Sequence, residues 1–514
     1  MLSTQPNTGA KFEHDRSTRS MTLSAGLSGA KRNGCAALCT SNQILGICEQ
    51  ERVIRLRGAG FNRTGLPDEA LDELLRRSGR RRSDVTTYAM AEAGPAPPGL
   101  EVVRFDHHFA HACAAFLTSP FDEAVVLVCD DHSPELSVWD AAGRTITPVE
   151  WPWHGPAFAN LYTQGASALG FATNGREQHM EAMARLDPNR REELPAPLFT
   201  LEDGGLRVAP NWQSLVNGLA GSGEHKAAIA AALQAQISDL LVEFLRDVRR
   251  RAARTRLCVG GTLFHNSHIN SVVKRCGVFD DVFVPVHPGD AGLAIGAALH
   301  VSEQVRSPVT PFQGPSYTSE EIKATLDNCK LTYEWATESE TIAIAVQALQ
   351  KGRLVAWFDG AMEWGPRALG ARSIVANPFA PYVLDNLNRF LKQRDSWWGY
   401  AVSGLESAVH DHFDGPAKSP FMECDFVPRD RERLRHLLPG PRASVRVHTA
   451  GADAPSRFRA LLAAFGEATG IPILVNTSFN GFHEPIVCSP RDAVRVFFGT
   501  GIDLLVLGQF VIHK

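Results

Sequence analysis

Paired cysteines and long apolar runs are missing from this 514-residue sequence. The ten cysteines are scattered and form no C-x-x-C pair, which argues against a zinc knuckle and against the disulfide framework of a secreted protein. No apolar run reaches the length of a transmembrane helix, and the polar N-terminus has no signal-peptide core. We therefore expect a cytoplasmic protein without membrane contact.

The sequence also lacks an excess of charge of either sign. Charged residues make up 21% of the chain and the net charge is −4, so nothing indicates electrostatic binding of nucleic acid. The chain is too long for one hydrophobic core, and two or three domains are expected. Residues 1–22 predict a disordered tail. The proline- and glycine-rich residues 307–316 predict a linker between domains at residues 23–306 and 317–514.

Apolar periodicity predicts an α/β chain. Residues 35–40 and 43–48 are expected to pair as a hairpin, and residues 67–78 to form a helix. Residues 225–253 predict one long amphipathic helix or two helices in series. Further strands are expected at residues 257–259, 282–286, 354–358, 471–475 and, last in the chain, 504–507, and further helices at residues 384–394 and 489–498.

A candidate metal site begins with Phe105-Asp-His-His-Phe-Ala-His111. In a helix His107 and His111 share one face, whereas His108 points elsewhere. The apolar residues 124–129 predict a buried strand that presents Asp130 at its C-terminal end, where open α/β sheets bind ligands. Two imidazoles and a carboxylate suit a divalent transition metal. The alternative is a helix-capping aspartate with histidines that bond to backbone groups.

Two glycine-rich turns follow predicted strands. Gly260-Gly261 would let backbone N–H groups approach a phosphate closely, although many such turns hold glycine for steric reasons only. In the second turn, Gly289-Asp-Ala-Gly292, the glycines open a small-residue helix that can pack tightly. Asp290 has two interpretations. It is either a helix N-cap or a fourth metal ligand that joins His107, His111 and Asp130.

Polar residues of the C-terminal part suit an anionic ligand. The loop Glu363-Trp-Gly-Pro-Arg-Ala-Leu-Gly370 and the following Arg372 and Ser373 hold guanidinium groups, which match phosphate geometry. Lys392 and Arg394 end a predicted helix, where they could simply complement its dipole. Asn476-Thr-Ser-Phe-Asn480 follows a predicted strand, and its polar residues could be turn formers only.

These motifs together resemble one family. His107-His-Phe-Ala-His111, Gly289-Asp-Ala-Gly292, Glu363-Trp-Gly-Pro-Arg-Ala-Leu-Gly370 and Asn476-Thr-Ser-Phe-Asn480 have the order and spacing of the O-carbamoyltransferases that modify nodulation factors, cephalosporins, aminoglycosides and ansamycins. The similarity runs from about residue 25 to the C-terminus. It implies an α/β fold with an N-terminal, actin-like (ASKHA) two-lobed domain. It also implies a C-terminal domain of the threonylcarbamoyl-adenylate synthase (YrdC-like) type.

The resemblance also implies a two-step reaction. The C-terminal domain would make carbamoyl-adenylate from carbamoyl phosphate and ATP, with Mg²⁺ beside ATP, and release pyrophosphate. The N-terminal domain would then transfer the carbamoyl group to a hydroxyl of a small-molecule natural product, at a metal site usually assigned to iron. Adenylation makes chemical sense because carbamoyl phosphate is a poor donor to an alcohol. A homodimer is compatible with this scheme.

The family's functional residues are carried over one by one. The implied metal ligands are His107, His111, Asp130 and Asp290. Carbamoyl phosphate would be held by Arg367, Lys392, Ser478 and Asn480, and Arg446 would lie beside the adenylate. Nucleotide or acyl-adenylate contacts in the N-terminal domain would come from Gly260, Gly261, Asn266, Gly289 and Gly292. The residues expected to act in catalysis are His107, His111, Asp130, Lys392 and Arg367.

Three positions depart from the family pattern. Lys31-Arg32-Asn33 stands where a His-Asp pair is usual, which leaves the general base open. His179 replaces a lysine. Trp397-Trp-Gly-Tyr-Ala-Val402 replaces a segment with a phosphate-binding arginine, and Arg394 or Arg372 could supply the missing charge.

Other functions compete with this interpretation. The chain could bind nucleotide and metal without carbamoyl transfer. It could instead modify tRNA, although the net charge of −4 and the absence of a basic patch count against that. A hydrogenase-maturation carbamoyl protein is disfavoured because the expected zinc-binding cysteine pairs are absent.

Overall fold

The computed structural model describes residues 22–91, 97, 99–132, 135–171, 175–189, 194, 197–202, 204–221, 223–302 and 308–514. Residues 1–21 of the predicted tail, residues 303–306 and Ser307 of the predicted linker lie outside these ranges. The described chain has a mixed α/β fold, as expected.

The described residues of the N-terminal part form two five-stranded sheets and one two-stranded hairpin. In chain order the strands are β1 (Leu23–Ser28), β2 (Cys35–Thr40), β3 (Ile44–Glu49), β4 (Val85–Met90), β5 (Val102–Arg104), β6 (Glu123–Cys129), β7 (Leu136–Ala142), β8 (Thr145–Val149), β9 (Phe199–Glu202), β10 (Gly205–Val208), β11 (Arg256–Gly260) and β12 (Asp281–Phe283). The predicted hairpin is confirmed as β2 and β3. The strand predicted at residues 282–286 is shorter than expected.

The two five-stranded sheets have the same topology. The first has the order β3-β2-β1-β4-β5 and the second the order β8-β7-β6-β11-β12. In each, the first three strands are antiparallel and the last two run parallel to the central strand. The N-terminal part is therefore built from one repeated arrangement of strands.

Helices cover both faces of these sheets. They are α1 (Gln50–Ile54), α2 (Asp68–Arg77), α3 (His107–Leu117), α4 (Phe158–Ala168), α5 (Arg176–Ala184), α6 (Trp212–Leu219), α7 (Gly223–Arg251), α8 (Ser267–Arg275) and α9 (Leu293–Val301). The first sheet packs against α9, the second packs against α3, and α3 and α9 contact each other between the sheets. Strand β6 is apolar from Ala124 to Cys129 because Val126 faces this inner core and Leu127 faces the outer core with α7.

The long helix α7 is continuous. By length and composition it could cross a membrane, so the expectation that no apolar run reaches that length is wrong. However, 78% of its apolar window is buried inside the fold, and Ile237, Leu241 and Phe244 belong to the outer core of the second sheet. This burial is typical of a core helix.

The C-terminal part is built on one mixed ten-stranded sheet. Its strands are β13 (Glu334–Trp335), β14 (Val355–Phe358), β15 (Arg372–Ala376), β16 (Ala401–Leu405), β17 (Phe413–Asp414), β18 (Cys424–Pro428), β19 (Val445–Ala450), β20 (Ile473–Ser478), β21 (Leu504–Leu507) and β22 (Phe510–His513). Their spatial order is β13-β22-β21-β14-β15-β20-β16-β19-β18-β17. The helices are α10 (Ser319–Asn328), α11 (Glu338–Gln350), α12 (Val383–Asp385), α13 (Glu406–His412), α14 (Ser456–Thr469) and α15 (Pro490–Gly499).

Two predictions for this part are wrong. The last strand is β22, which pairs with β21. The helix expected at residues 384–394 is the short α12 followed by a π-helix, Asn386–Lys392, and Gln393 ends it with φ 48°. Arg394 therefore lies beyond the helix. By contrast, α15 begins as predicted, with Pro490 in its first turn after the N-cap Ser489.

The predicted linker is tied to both parts of the molecule. The backbone N–H of Ile47 in β3 donates to Gln313 O (2.9 Å), and the N–H of Trp364 donates to Pro311 O (2.8 Å). Residues 308–316 are thus irregular, as expected for a linker, but fixed.

The contact between α3 and α9 requires glycine at position 296. A Cβ there would lie 2.5 Å from the backbone nitrogen of Ala114. We expect Gly296→Ala to destabilise the protein by about 1–3 kcal/mol through overpacking. Chemical unfolding followed by circular dichroism measures this. The matched control is Gly218→Ala in α6, where a Cβ meets nothing within 4 Å and removal of a helical glycine should be neutral or slightly stabilising. Equal unfolding midpoints for the two variants would contradict the packing argument.

Candidate functional site

Helix α3 presents the two expected imidazoles. Asp106 caps the helix by accepting a hydrogen bond from Phe109 N (3.1 Å). One turn apart, the Nε2 atoms of His107 and His111 lie 3.2 Å from each other. His108 points away and contacts Ser137 Oγ through Nδ1 (2.7 Å). The spacing of four residues in a helix thus brings the Nε2 atoms of His107 and His111 to the same point.

The buried carboxylate of Asp130 lies beside them at the end of β6. Its Oδ1 accepts a hydrogen bond from Thr262 N (2.9 Å), and its Oδ2 lies 2.9 Å from His107 Nε2. Burial opposes ionisation of Asp130, but hydrogen bonds from the surrounding imidazoles outweigh it and hold its pKa well below the usual range. Burial lowers the pKa of His107, whereas the bond to Asp130 more than reverses that shift.

Asp290 completes the group. Its Oδ1 lies 3.8 Å from His107 Nε2 and 3.9 Å from His111 Nε2. This atom is buried without a hydrogen-bond partner among the described residues, and burial raises the pKa of the carboxyl. The 3₁₀ turn at this point is capped by Gly289 without a side-chain bond, so Asp290 does not act as the N-cap.

The four residues offer one ligand atom each, and these atoms lie within 4.8 Å of one another. Two imidazole nitrogens and two carboxylate oxygens form a donor set that suits a divalent first-row transition metal. The unpartnered oxygen of Asp290 fits the same interpretation, because a buried carboxylate oxygen normally has a partner. This group of residues is hereafter the metal centre.

His132 was missed by the sequence reasoning. It is exposed, and its Nδ1 lies 3.0 Å from Asp130 Oδ2 and 3.1 Å from Asp131 Oδ1. The hydrogen bond to Asp130 raises the pKa of His132 to about 9. Asp130, Asp131 and His132 form a second group that could hold a cation. The sequence feature that could have identified His132 is its position two residues after the candidate ligand Asp130.

The glycines of the two turns are explained by close packing. Gly261 has φ 100°, and a Cβ there would lie 2.0 Å from Cys129 O. A Cβ on Gly289 would lie 2.5 Å from His265 Nε2. Gly292 is packed in the same way, and Gly260 lies against the backbone of His111. Steric need therefore accounts for these glycines, and their contact with a nucleotide stays a prediction.

The side chain of Asn266 is occupied by protein groups. Its Oδ1 accepts a hydrogen bond from Ile269 N (3.0 Å) as the N-cap of α8, and its Nδ2 donates to Gln234 Oε1 (3.0 Å). Its predicted contact with nucleotide or acyl-adenylate stays a prediction.

The C-terminal part gathers Lys392, Ser478 and Asn480. Lys392 Nζ donates to Ser478 O (2.6 Å), Asn480 Oδ1 (2.5 Å) and Asn480 O (3.2 Å). Burial, and then the nearby charge of Arg394, lower the pKa of Lys392 well below its usual value. Lys392, the last residue of the π-helix, thus places its buried amino group beside the polar loop after β20.

Three arginines interact with Lys392 or with one another through their charges. Burial and the charge of Arg446 lower the pKa of Arg367 to about 9. Desolvation lowers the pKa of Arg394, and Arg446 contributes to the same shift. The charge of Arg394 thus lowers the pKa of Lys392, and the charge of Arg446 lowers the pKa values of both Arg394 and Arg367. We call these four residues the cation cluster. An anionic ligand would offset this repulsion.

Arg372 does not take part in the cation cluster. It is fully buried, and its guanidinium donates to the carbonyl oxygens of Asp359 (3.1 Å) and Pro315 (3.1 Å) and stacks on Phe358. Ser373 Oγ accepts a hydrogen bond from Gly370 N (3.0 Å). The expectation that Arg372 and Ser373 face an anionic ligand is wrong, because the fold uses both to fix the loop that carries Arg367.

Two departures from the family pattern contact each other. The His179 ring lies edge-on to Trp398 at 5.1 Å, and its Nδ1 donates to Gly175 O (2.7 Å). Trp397 packs against the core of the N-terminal part. The Arg394 guanidinium lies over the Trp398 ring at 4.8 Å. In contrast, the Lys31-Arg32-Asn33 segment forms an exposed turn after β1.

His265 lies between the metal centre and the cation cluster. Its ring adjoins Gly289, and its backbone oxygen accepts a hydrogen bond from Arg367 Nη2 (3.2 Å). Burial and the charge of Arg367 lower the pKa of His265 to about 4, so the ring is neutral at pH 7. The turn Thr262–His265 therefore connects the metal centre, through Thr262 N and Asp130, with the cation cluster, through His265 O and Arg367.

Comparison with solved structures gives only a distant similarity. The activator of the 2-hydroxyisocaproyl-CoA dehydratase from Clostridium difficile with bound ADPNP aligns at 13% identity and a TM-score of 0.38, covering 55% of this chain and 95% of that chain. A match at that score supports no conclusion about this fold.

Sequence comparison identifies the family. Nodulation protein NolO of Bradyrhizobium diazoefficiens is 32% identical, with 80% of this chain and 79% of NolO aligned. Nodulation protein NolNO of Sinorhizobium fredii is 27% identical, with 94% and 79% aligned. The family described as Carbamoyltransferase N-terminus matches residues 99–299, and Carbamoyltransferase C-terminus matches residues 346–514. The chain therefore belongs to the carbamoyltransferase family and is a carbamoyltransferase, as its motifs implied.

Proposed function

We propose that this carbamoyltransferase works in two steps through a carbamoyl-adenylate. In the first step carbamoyl phosphate, ATP and water give carbamoyl-adenylate, pyrophosphate and phosphate. In the second, the oxygen of an acceptor hydroxyl attacks the carbamoyl carbon, AMP leaves, and the hydroxyl proton is released. The observation that carries the proposal is the presence of two chemically different sites in one chain, the metal centre and the cation cluster.

The cation cluster suits the first step. Both co-substrates are anions, and positioned cations stabilise the charge that develops when a phosphoryl group is attacked. Arg367 and Arg446 offer planar guanidinium groups that can bind phosphate through two donors. Lys392 differs because its N–H groups are engaged by Ser478 and Asn480, so it fixes this loop and supplies local positive charge.

The metal centre suits the second step. A divalent metal held by His107, His111, Asp130 and Asp290 would polarise the carbamoyl oxygen as a Lewis acid, and iron is our proposed metal. The hydrogen bond between Asp130 Oδ2 and His107 Nε2 (2.9 Å) holds the His107 imidazole towards the other ligand atoms of the metal centre.

The fold assignments behind this proposal are an actin-like N-terminal part and a YrdC-like C-terminal part. The repeated topology of the two five-stranded sheets supports the first. The single mixed sheet, with the cation cluster beside β19 and β20, is compatible with the second. Domain limits at residues 23–306 and 317–514 stay predictions.

The acceptor in this proposal is a natural-product hydroxyl, as in antibiotic or other secondary metabolism. A cytoplasmic location, a homodimer and Mg²⁺ at ATP belong to the same proposal. The competing function, nucleotide and metal binding without transfer, predicts that carbamoyl phosphate and ATP yield no pyrophosphate.

Removal of a ligand should empty the metal centre. We expect wild-type protein to hold about one transition-metal ion per chain, and His107→Ala and Asp290→Ala to lose most of it. Elemental analysis of purified protein gives the metal content. The matched control is His108→Ala, which removes an imidazole of the same helix that points away. Full metal content in both ligand variants would remove the proposed site.

The two steps should be separable by mutation. Lys392→Ala removes a buried cation and its bonds to the Ser478 loop, so pyrophosphate release should fall at least a hundredfold, by roughly 3 kcal/mol or more in transition-state stabilisation. His111→Ala should leave pyrophosphate release largely intact and abolish carbamoyl transfer. Coupled pyrophosphate assays and mass spectrometry of acceptors measure the two steps. Normal release by Lys392→Ala would refute the role of the C-terminal part.

Arg394 should replace the missing phosphate arginine. Loss of a charged phosphate contact costs ~1.5–3 kcal/mol, or roughly ten- to a hundredfold in affinity, so Arg394→Ala should raise the KM for carbamoyl phosphate at least several-fold. The control is Arg389→Ala, which removes an exposed arginine of the π-helix that precedes Arg394. Pyrophosphate assays across carbamoyl phosphate concentrations decide the point. If Arg394→Ala and Arg389→Ala both have the KM of the wild-type enzyme, Arg394 does not bind the phosphate of carbamoyl phosphate.

A further inference from the structure

A buried polar network joins the N-terminal and C-terminal parts. Glu181 in α5 and the adjoining Arg185 belong to the N-terminal part, as does Ser267 at the start of α8. Asp425 in β18 and Arg446 in β19 belong to the C-terminal part. Arg185 donates to Glu181 Oε1 (2.7 Å) and Asp425 Oδ2 (3.0 Å), and Ser267 Oγ lies 2.6 Å from Asp425 Oδ1.

Glu181 is the centre of this network. Its Oε1 accepts hydrogen bonds from Arg185 Nη2 (2.7 Å), Ser267 N (3.0 Å), Ser267 Oγ (2.5 Å) and Arg446 Nη2 (2.7 Å). The side chain is only 6% exposed. Burial raises its pKa, but the charges of Arg446 and Arg185 outweigh burial and hold the carboxyl ionised.

The network fixes two of the three donor groups of Arg446. Nη2 bonds to Glu181, and Nε donates to Ser267 Oγ (3.1 Å). This leaves Nη1 without a partner among the described residues. Arg446 is also the member of the cation cluster that influences both Arg367 and Arg394. Because the Nη2 and Nε bonds hold the planar guanidinium, they also fix the direction of Nη1.

Docking of the two parts does not by itself require such a network. Buried ion pairs cost desolvation and are often no more stabilising than apolar packing of the same volume. Apolar packing is available here, since Trp397 of the C-terminal part packs on the N-terminal core. The bonds to Arg446 supply direction, which apolar contacts do not.

We propose that Glu181 is a positioning residue for adenylate formation, which rests on the function proposed above. It belongs to the N-terminal part, yet it aims the Nη1 arm of Arg446 at the phosphates of ATP in the C-terminal part. The ATP site is thus complete only when the two parts are docked, and the N-terminal part contributes to both steps.

Replacement of Glu181 in the full-length protein tests this. Glu181→Gln keeps the shape of the side chain but replaces the ionic bond to Arg446 with a neutral one. We expect the KM for ATP in pyrophosphate release to rise roughly tenfold, with a smaller change in kcat. Glu181→Asp keeps the charge but shortens the side chain, and should give an intermediate KM. The matched control is Glu177→Gln, a partly exposed carboxylate of the same helix that bonds Thr163 and Arg176.

A double-mutant cycle separates positioning from a purely structural role. If Glu181 acts through Arg446, the effects of Glu181→Gln and Arg446→Gln on the KM for ATP are strongly non-additive. A lower unfolding temperature with an unchanged KM in both Glu181 variants overturns the proposal. So does a KM raised by Arg446→Gln alone. Absence of pyrophosphate release by wild type would instead refute the proposed function, so the two failures are distinct.

Discussion

The buried carboxylate of Asp130 is the constraint on which the N-terminal site depends. A charge removed from water is tolerated only when it is paired and hydrogen-bonded. Asp130 meets this condition with Thr262 N on one oxygen and imidazoles on the other. Those bonds join the end of β6, the first turn of α3 and the turn after β11. Asp290 reaches the same point because α9 follows it and packs on α3 through Gly296.

The C-terminal site depends on the opposite problem, a group of cations that repel one another. The positive charge of Lys392 is stabilised by oxygen atoms of the loop after β20. The positive charge of Arg446 is paired with the carboxylate of Glu181, which belongs to the N-terminal part. Asp425 of the C-terminal part in turn accepts a hydrogen bond from Arg185 of the N-terminal part (3.0 Å). The geometry of the cation cluster therefore depends on how the N-terminal and C-terminal parts pack together. The hydrogen bond from Arg367 to His265 O joins the two parts in the same way as the polar network does.

The departures from the family pattern make physical sense as a group. His179 and Trp398 are more than two hundred residues apart in sequence and lie edge to face in the fold. Trp398 also supports the guanidinium of Arg394. This chain has an imidazole where the family has a lysine, and indoles where the family has an arginine-containing segment. These rings form an aromatic contact between the two parts. In the function proposed here, Arg394 supplies the positive charge that the family pattern places in the replaced segment.

The sequence by itself determined the elements with local signals and most residues of both sites. Helix α3, the hairpin of β2 and β3, and α15 follow from spacing, turn residues and capping. The four metal-centre residues were found because motifs carry their identity along the chain. Only the tertiary structure decided the roles of Arg372 and His132, the π-helix before Lys392, and the bonds of Glu181. Each depends on a partner far away in sequence, and neither periodicity nor a local motif encodes which buried charges meet after folding.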